Sequence, residues 1–264
     1  MKKLAEILKS QNIQSTFDFT SSEYLQKQCR NYNSKIGNLN KIDGYNCENC
    51  KNKGDLWVVF NGEILTQKCP ECTLIRQSIA NINASGLDNL GFNNFFDVDD
   101  WQKALKQKGL DFVDNTKGEW LFIAGQSGCG KTHICTAVLR QLIFKYRIKI
   151  AVFKWQEDAK KLKQLSNDKE YSIMCEPFKT AKVLYIDDLF KCRRGEKPTP
   201  ADINLAFEII DYRYCHKLLT VISSEISLGE IIVFDEAIGG RIKQRTKDYA
   251  IYIQPDKNKN YRLK

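Results

Sequence analysis

No apolar run in this 264-residue sequence is long enough to cross a bilayer, because a spanning helix needs about 20 consecutive apolar residues. The opening Met1-Lys-Lys-Leu-Ala-Glu6 soon turns polar and does not read as a leader. A soluble, cytoplasmic protein is therefore expected. Internal repeats are absent, and so are long disordered stretches. The basic residues lack the interleaved aromatics of a base-stacking platform. The formal charge of +9 fits a nucleic-acid partner, but it equally fits a solvated basic surface.

The strongest positive signal is Gly125-Gln126-Ser127-Gly128-Cys129-Gly130-Lys131-Thr132. It follows the apolar run Trp120–Ala124 and opens a stretch with helical patterning at about 131–146. A phosphate-binding P-loop requires this strand–loop–helix setting. The glycines let backbone N–H groups approach phosphates, Lys131 reaches the β/γ-phosphates, and the Thr132 hydroxyl suits Mg²⁺. The helix N-terminus adds partial positive charge.

The first ~85 residues have a different character. Residues 2–9 suit a short helix with Leu4, Ile7 and Leu8 on one face, and residues 23–33 suit a second. Cys47-Glu-Asn-Cys50 and Cys69-Pro-Glu-Cys72 enclose eighteen residues. Between them, Leu56–Phe60, Asn61-Gly62 and Ile64–Thr66 read as a hairpin. A nucleotide enzyme works among reduced thiols, so the ten cysteines point away from disulfides. The two Cys-x-x-Cys pairs fit a closed tetrahedral Zn²⁺ site on Cys47, Cys50, Cys69 and Cys72. Two disulfides, an iron–sulfur cluster or bare thiols share that spacing. Four thiolates with Zn²⁺ carry −2 and lower the formal +9 to about +7. Cys29, Cys175, Cys192 and Cys215 have no ligand spacing.

From residue 86 to 264 strands alternate with helices. Strands are expected at 120–124, 148–155, 183–186, 218–223 and 250–254, and helices at 131–146, 156–165, 202–215 and 228–245. That order implies an α/β fold with a five-stranded, mostly parallel sheet and helices on both faces. The basic tail 257–264 reads as frayed. Two domains follow: a small zinc-binding module at 1–85 and an ATPase core at 86–264.

Val183-Leu-Tyr-Ile186 runs into Asp187-Asp188, which has the form of a Walker B element. Asp187 would orient Mg²⁺ and Asp188 would polarise the attacking water. Leu219–Ser223 ends in Ser223, Ser224 and Glu225, where a hydroxyl either senses the terminal phosphate or caps the next helix. Arg241 and Arg245 lie four apart on one helix face. Alone, that pair reads as a solvated basic face.

Taken together, Gly125–His133, Leu184–Leu189, Glu208–Tyr214, Ser223–Glu225 and Asp235–Ile242 resemble the DnaC/DnaI-type replicative helicase loaders. The likeness is to the Gram-positive and phage forms, which also carry an N-terminal zinc module. The Gly-Lys-Thr-His start of the helix is shared with the related IstB transposition ATPases. The resemblance implies an AAA+ ATPase core with little or no C-terminal lid, binding ATP and Mg²⁺ through Gly125–His133 and Asp187. It implies Arg241 as an arginine finger for a neighbouring copy, and Ser224 in the region that senses the terminal phosphate. Gly240 replaces a common Ser, and Glu225 replaces a common Asn. Arg213 matches an arginine near the subunit interface. Phe92 and Phe95 resemble a segment near the adenine, although core packing explains the same spacing.

The implied partners are a replicative hexameric helicase, single-stranded DNA and further copies of the chain. Lys160, Lys161, Lys163, Lys191, Arg193, Arg194 and Lys197 are the candidate DNA-backbone contacts. Such binding would be weak, salt-dependent and sequence-independent. The competing functions are an IstB-like partner of a transposase, a P-loop kinase, and an ATP-binding adaptor with little turnover. No acceptor-binding lid supports the kinase. Asp188, shorter than the usual Glu, keeps the adaptor open.

Overall fold

A computed structural model describes residues 21–165, 169–193 and 196–263. The helix expected at 2–9 and Arg194 lie outside the described residues. The chain divides into two compact units, Met1–Arg76 and Gln77–Lys264. Among the described residues no helix is long and apolar enough to cross a membrane.

In the first unit, α1 (Ser22–Ser34) starts at Ser21, whose side chain accepts from the Tyr24 N–H. A short turn of helix, α2 (Asn40–Asp43), follows. The antiparallel hairpin β1 (Asp55–Phe60) and β2 (Glu63–Lys68) turns at Asn61-Gly62. Tyr32 of α1 stacks on Trp57 at 4.1 Å, and its hydroxyl donates to Asp55 at 2.9 Å. Asn33 pairs with both backbone groups of Trp57 at 2.9 Å. Among the described residues, the buried cluster behind the hairpin is the four cysteines, with Tyr45 and Leu56 packed on it. A core that small needs a staple.

Helix α3 (Thr73–Ala84) carries the chain into the second unit and buries Ile75, Ile79 and Ile82 along one face. Helix α4 (Asp100–Asn115) begins with a capping box between Asp99 and Gln102. The sheet follows as β3 (Leu121–Gly125), β4 (Ile150–Lys154), β5 (Val183–Leu189), β6 (Leu219–Ser224) and β7 (Ala250–Ile253). Their spatial order is β4-β5-β6-β3-β7, and every pairing is parallel. Parallel strands need crossovers. These are α5 (Lys131–Tyr146), α6 (Lys160–Gln164) with α7 (Lys169–Thr180), α8 (Pro200–Cys215), and α9 (Leu228–Phe234) with α10 (Glu236–Thr246). The core joins Trp120, Phe122, Phe153, Trp155 and Phe190 to the inner faces of α8 and α10.

The helix expected at 156–165 is instead a π-turn over Trp155–Ala159 followed by α6. Asp158 accepts the Lys154 N–H at 2.8 Å and shapes the turn, so that Trp155, Ala159 and Leu162 are all buried. The tail is a larger correction. Residues 257–259 and 261–263 form two 3₁₀ turns bonded to the loop after β3. Among the described residues, no helical lid follows β7.

Candidate functional site

The carboxyl ends of β3, β5 and β6 meet, because β6 lies between the other two. A cavity of about 470 Å³ opens there, within the range of small-molecule sites. Its lining includes Gly128, Gly130, Lys131, Thr132, Asp187 and Asp188. The loop's shape depends on Gly128 and Gly130, with φ of 77° and 90°, a region L side chains rarely adopt. Lys131 is buried, and its Nζ donates to the Gly125 and Gln126 carbonyls at 2.9 and 3.0 Å.

Asp187 is the hub. Its Oδ1 accepts from Thr132 Oγ1 at 3.1 Å, Tyr185 Oη at 2.5 Å and Ser223 Oγ at 2.9 Å. The hydroxyl and carboxylate suited to Mg²⁺ therefore already touch. Consecutive strand residues normally face opposite ways, yet both aspartates line the cavity. The register breaks between Ile186 and Leu189, and Asp188 takes φ 56°. This irregularity turns the second carboxylate into the cavity, and the Asp188 N–H donates to Ser223 Oγ at 2.9 Å.

The two serines separate. Ser223 touches Asp187, whereas Ser224 donates to the Leu189 carbonyl at 2.8 Å and accepts from the Ile226 N–H at 3.0 Å. Ser224 thus ties the end of β6 to β5. Lys191, grouped above with the DNA-contacting residues, lies in the nucleotide cavity and bridges Asp188 at 2.7 Å and Glu225 at 2.9 Å. Lys163 pairs with Asp202 at 2.6 Å and Lys161 with Asp158 at 3.8 Å; Lys161 is nevertheless exposed, as are Lys160, Arg193 and Lys197.

His133 Nε2 lies 2.9 Å from the Gly91 carbonyl. Burial pushes its pKa below the ordinary histidine value, and because a carbonyl can only accept, Nε2 is the donor there. Phe95 packs edge-on against it at 5.2 Å. Phe92 and Phe95 are both buried; Leu87 and Leu90 supply the apolar lining instead.

Arg241 is not among the residues lining its own chain's cavity. Its guanidinium pairs with Asp211 at 2.7 Å, donates to the Ala237 carbonyl at 2.9 Å and lies over Phe207 and Tyr214. Arg213, expected near an interface, is fully buried. It donates to Thr220 and to the carbonyls of Phe178, Lys179, Ala181 and Leu219, pinning α8 to the end of α7 and the start of β6. Arg213→Met should leave those carbonyls without their donor. Each unmet buried group costs about 1–3 kcal/mol, so a loss of at least about 2 kcal/mol is expected in denaturant unfolding.

The four cysteines of the first unit are buried, with Sγ atoms within 4.8 Å of one another. Cys47 faces Cys69 at 3.8 Å and Cys50 faces Cys72 at 3.7 Å. A tetrahedral ion with Zn–S near 2.3 Å sets sulfur edges of about 3.8 Å, so the cage fits zinc. The Gly54 N–H and Arg76 Nε donate to Cys50 and Cys72 sulfur at 3.2 and 3.3 Å. Such donors stabilise thiolates. Cys29 and Cys175 are buried free thiols, while Cys215 is exposed.

Fold and cavity together define a P-loop nucleotide-binding module. Residues 74–264 match the family described as IstB-like ATP binding protein, and the chain belongs to that family. It is 31% identical over 208 residues to the uncharacterised protein YqaM of Bacillus subtilis strain 168. That match covers 73% of this chain and 66% of YqaM. It is 28% identical over 227 residues to the phage-like element PBSX protein XkdC of the same organism, covering 80% of this chain and 83% of XkdC. The crystal structure of the DnaC helicase loader shares the fold, with TM-score 0.53 and 21% identity over 64% of this chain and 98% of that one.

Proposed function

We propose that this chain is an Mg²⁺-dependent ATPase that loads a replicative hexameric helicase onto single-stranded DNA. The observation that carries the ATPase reading is the convergence of Lys131, Thr132, Asp187 and Asp188 in one cavity. Lys131 and the loop N–H groups would bind the phosphates, Thr132 and Asp187 would hold Mg²⁺, and Asp188 would accept the proton of the attacking water as the bond to the terminal phosphoryl group breaks. The metal, when bound there, would supply positive charge against the phosphates. The fold shared with the DnaC loader supports the helicase client. Exposed Lys160, Arg193 and Lys197 support a weak, salt-sensitive grip on DNA.

Copies stack so that Arg241 of one completes the site of the next. Its resting pair with Asp211 is partly exposed, at 27% and 34%, and would be exchanged for phosphate on assembly. Arg241→Ala should keep ATP affinity and lose hydrolysis on the order of a hundredfold or more. Mixing it with Lys131→Ala, also inactive, should restore turnover, because the second chain still supplies Arg241. Two inactive chains that stay inactive when mixed argue against the shared site. For the client, the wild-type chain is passed with ATP over its cognate hexameric helicase. Capture with ATP and release on turnover fit loading. The family match favours one rival, an ATPase partner of a transposase. Indifference to the helicase combined with stimulation by a transposase would move the assignment there.

A further inference from the structure

The Asp187 carboxylate is held by one of its two oxygens. Thr132, Tyr185 and Ser223 all donate to Oδ1, and among the described residues no hydrogen bond falls on Oδ2. The three donors come from three elements, α5, β5 and β6. Tyr185 precedes Asp187 by two on β5, so both side chains stand on one face of the sheet. Its ring is fully buried, among the apolar Val183, Leu184 and Ile186. The Cys135 thiol, on the same face of α5 as Thr132, neighbours its hydroxyl.

A buried tyrosine hydroxyl needs a partner. This one donates to Asp187 at 2.5 Å and lies 3.1 Å from Ser223 Oγ. Each hydroxyl has one proton to give. Tyr185 and Ser223 both direct theirs at Oδ1, and a lone pair of Ser223 takes the Asp188 N–H at 2.9 Å. A carboxylate otherwise turns easily about its last bond. Pinned from three directions, Asp187 keeps its plane and leaves Oδ2 open. Thr132 is itself a candidate Mg²⁺ ligand, and Ser223 also holds the Asp188 turn. Tyr185 is not among the residues lining the cavity, so its hydroxyl acts there only through these neighbours.

We infer that Tyr185 is a positioning residue for the metal-binding carboxylate. Its hydroxyl, beside that of Ser223, fixes Asp187 so that Oδ2 is presented to the cation. This rests on the ATP reading above. Ligating carboxylates are commonly oriented by such outer partners, whose loss typically costs about 10–100-fold in metal affinity or activity.

The test is calorimetric titration of the full chain with a non-hydrolysable ATP analogue, in EDTA and across a series of Mg²⁺ concentrations. Mg²⁺ should tighten binding to the wild type. Tyr185→Phe keeps the ring and loses the hydroxyl. The Mg²⁺ concentration giving half of the tightening should rise about tenfold, while metal-free affinity should change less than about twofold. The melting temperature should fall by no more than about 4 °C, the scale of one lost hydrogen bond. Ser223→Ala removes the neighbouring donor and should raise the Mg²⁺ requirement in the same way, which keeps the test open if Tyr185→Phe does not fold. A wild-type Mg²⁺ requirement in the variant would overturn the positioning role. Equal weakening with and without metal would overturn it too, because that marks a distorted cavity. A wild-type chain that binds the analogue but ignores Mg²⁺ would overturn the positioning role and leave ATP binding standing. Failure of the wild-type chain to bind the analogue at all would instead bring down the ATP reading.

Discussion

A chain carrying Cys50→Ser is expected to hold no zinc, to lose the folded hairpin unit, and to bind ATP as the wild type does. Cys50 and Cys72 face each other at 3.7 Å, and Cys50 sulfur also takes the Gly54 N–H. Replacing one ligand breaks the tetrahedron, and a serine hydroxyl is a poor substitute for thiolate. Among the described residues, the cluster that supports the hairpin is the four cysteines with Tyr45 and Leu56. Structural zinc contributes about 10–16 kcal/mol of apparent binding energy to small domains, well above what that apolar contact can replace. Helix α1 should loosen too, because its Tyr32 and Asn33 grip the hairpin. Elemental analysis should find about one zinc per wild-type chain, as one four-ligand site requires, and none in the variant. Proteolysis should then cut within 21–72 and spare the ATPase unit. Full zinc content in Cys50→Ser would sink the four-cysteine site, and an intact hairpin without zinc would sink the staple.

The readable parts of this molecule were those written in short-range spacing. The P-loop, the Asp187-Asp188 pair and the two Cys-x-x-Cys knuckles depend on residues a few positions apart, and helix 131–146 and the Asn61-Gly62 turn appear where patterning put them. Helix α7 was hidden because Pro177 interrupts its sequence. Helix α4 was hidden because Gly109 sits inside it, packed against Phe92. Other misses come from partners far apart in sequence. The acceptors of Arg213 are carbonyls of Phe178, Lys179 and Ala181 in a different crossover, so its burial leaves no local trace. The tail looked frayed because its anchor, Gln126, lies 130 residues away from Asp256. Lys191 read as part of a basic loop. One hint was available, since it stands three residues after Asp188. The backbone turn at Asp188 left no signal, because aspartate is common at ordinary φ as well.

The hub at Asp187 makes the second large prediction sharp. Asp187→Asn keeps an oxygen where Thr132, Tyr185 and Ser223 donate, so the local bonds can persist. Only the negative charge is lost, and with it the affinity for Mg²⁺, whose ligands are hard oxygens. Hydrolysis should fall at least a hundredfold, the scale of removing one aligned electrostatic element. Thermal stability should move by no more than a few degrees. The discriminating measurement is ATP affinity with and without Mg²⁺. In the wild type Mg²⁺ should tighten binding; in Asp187→Asn the two affinities should converge on the metal-free value. Asp188→Asn should behave differently. Asparagine tolerates φ near 56° as readily as aspartate, so the loop keeps its turn, and Mg²⁺ should still tighten ATP while turnover drops. If both variants lose the Mg²⁺ effect alike, the two carboxylates share one role at the metal, and Asp188 is not the group that takes the water's proton.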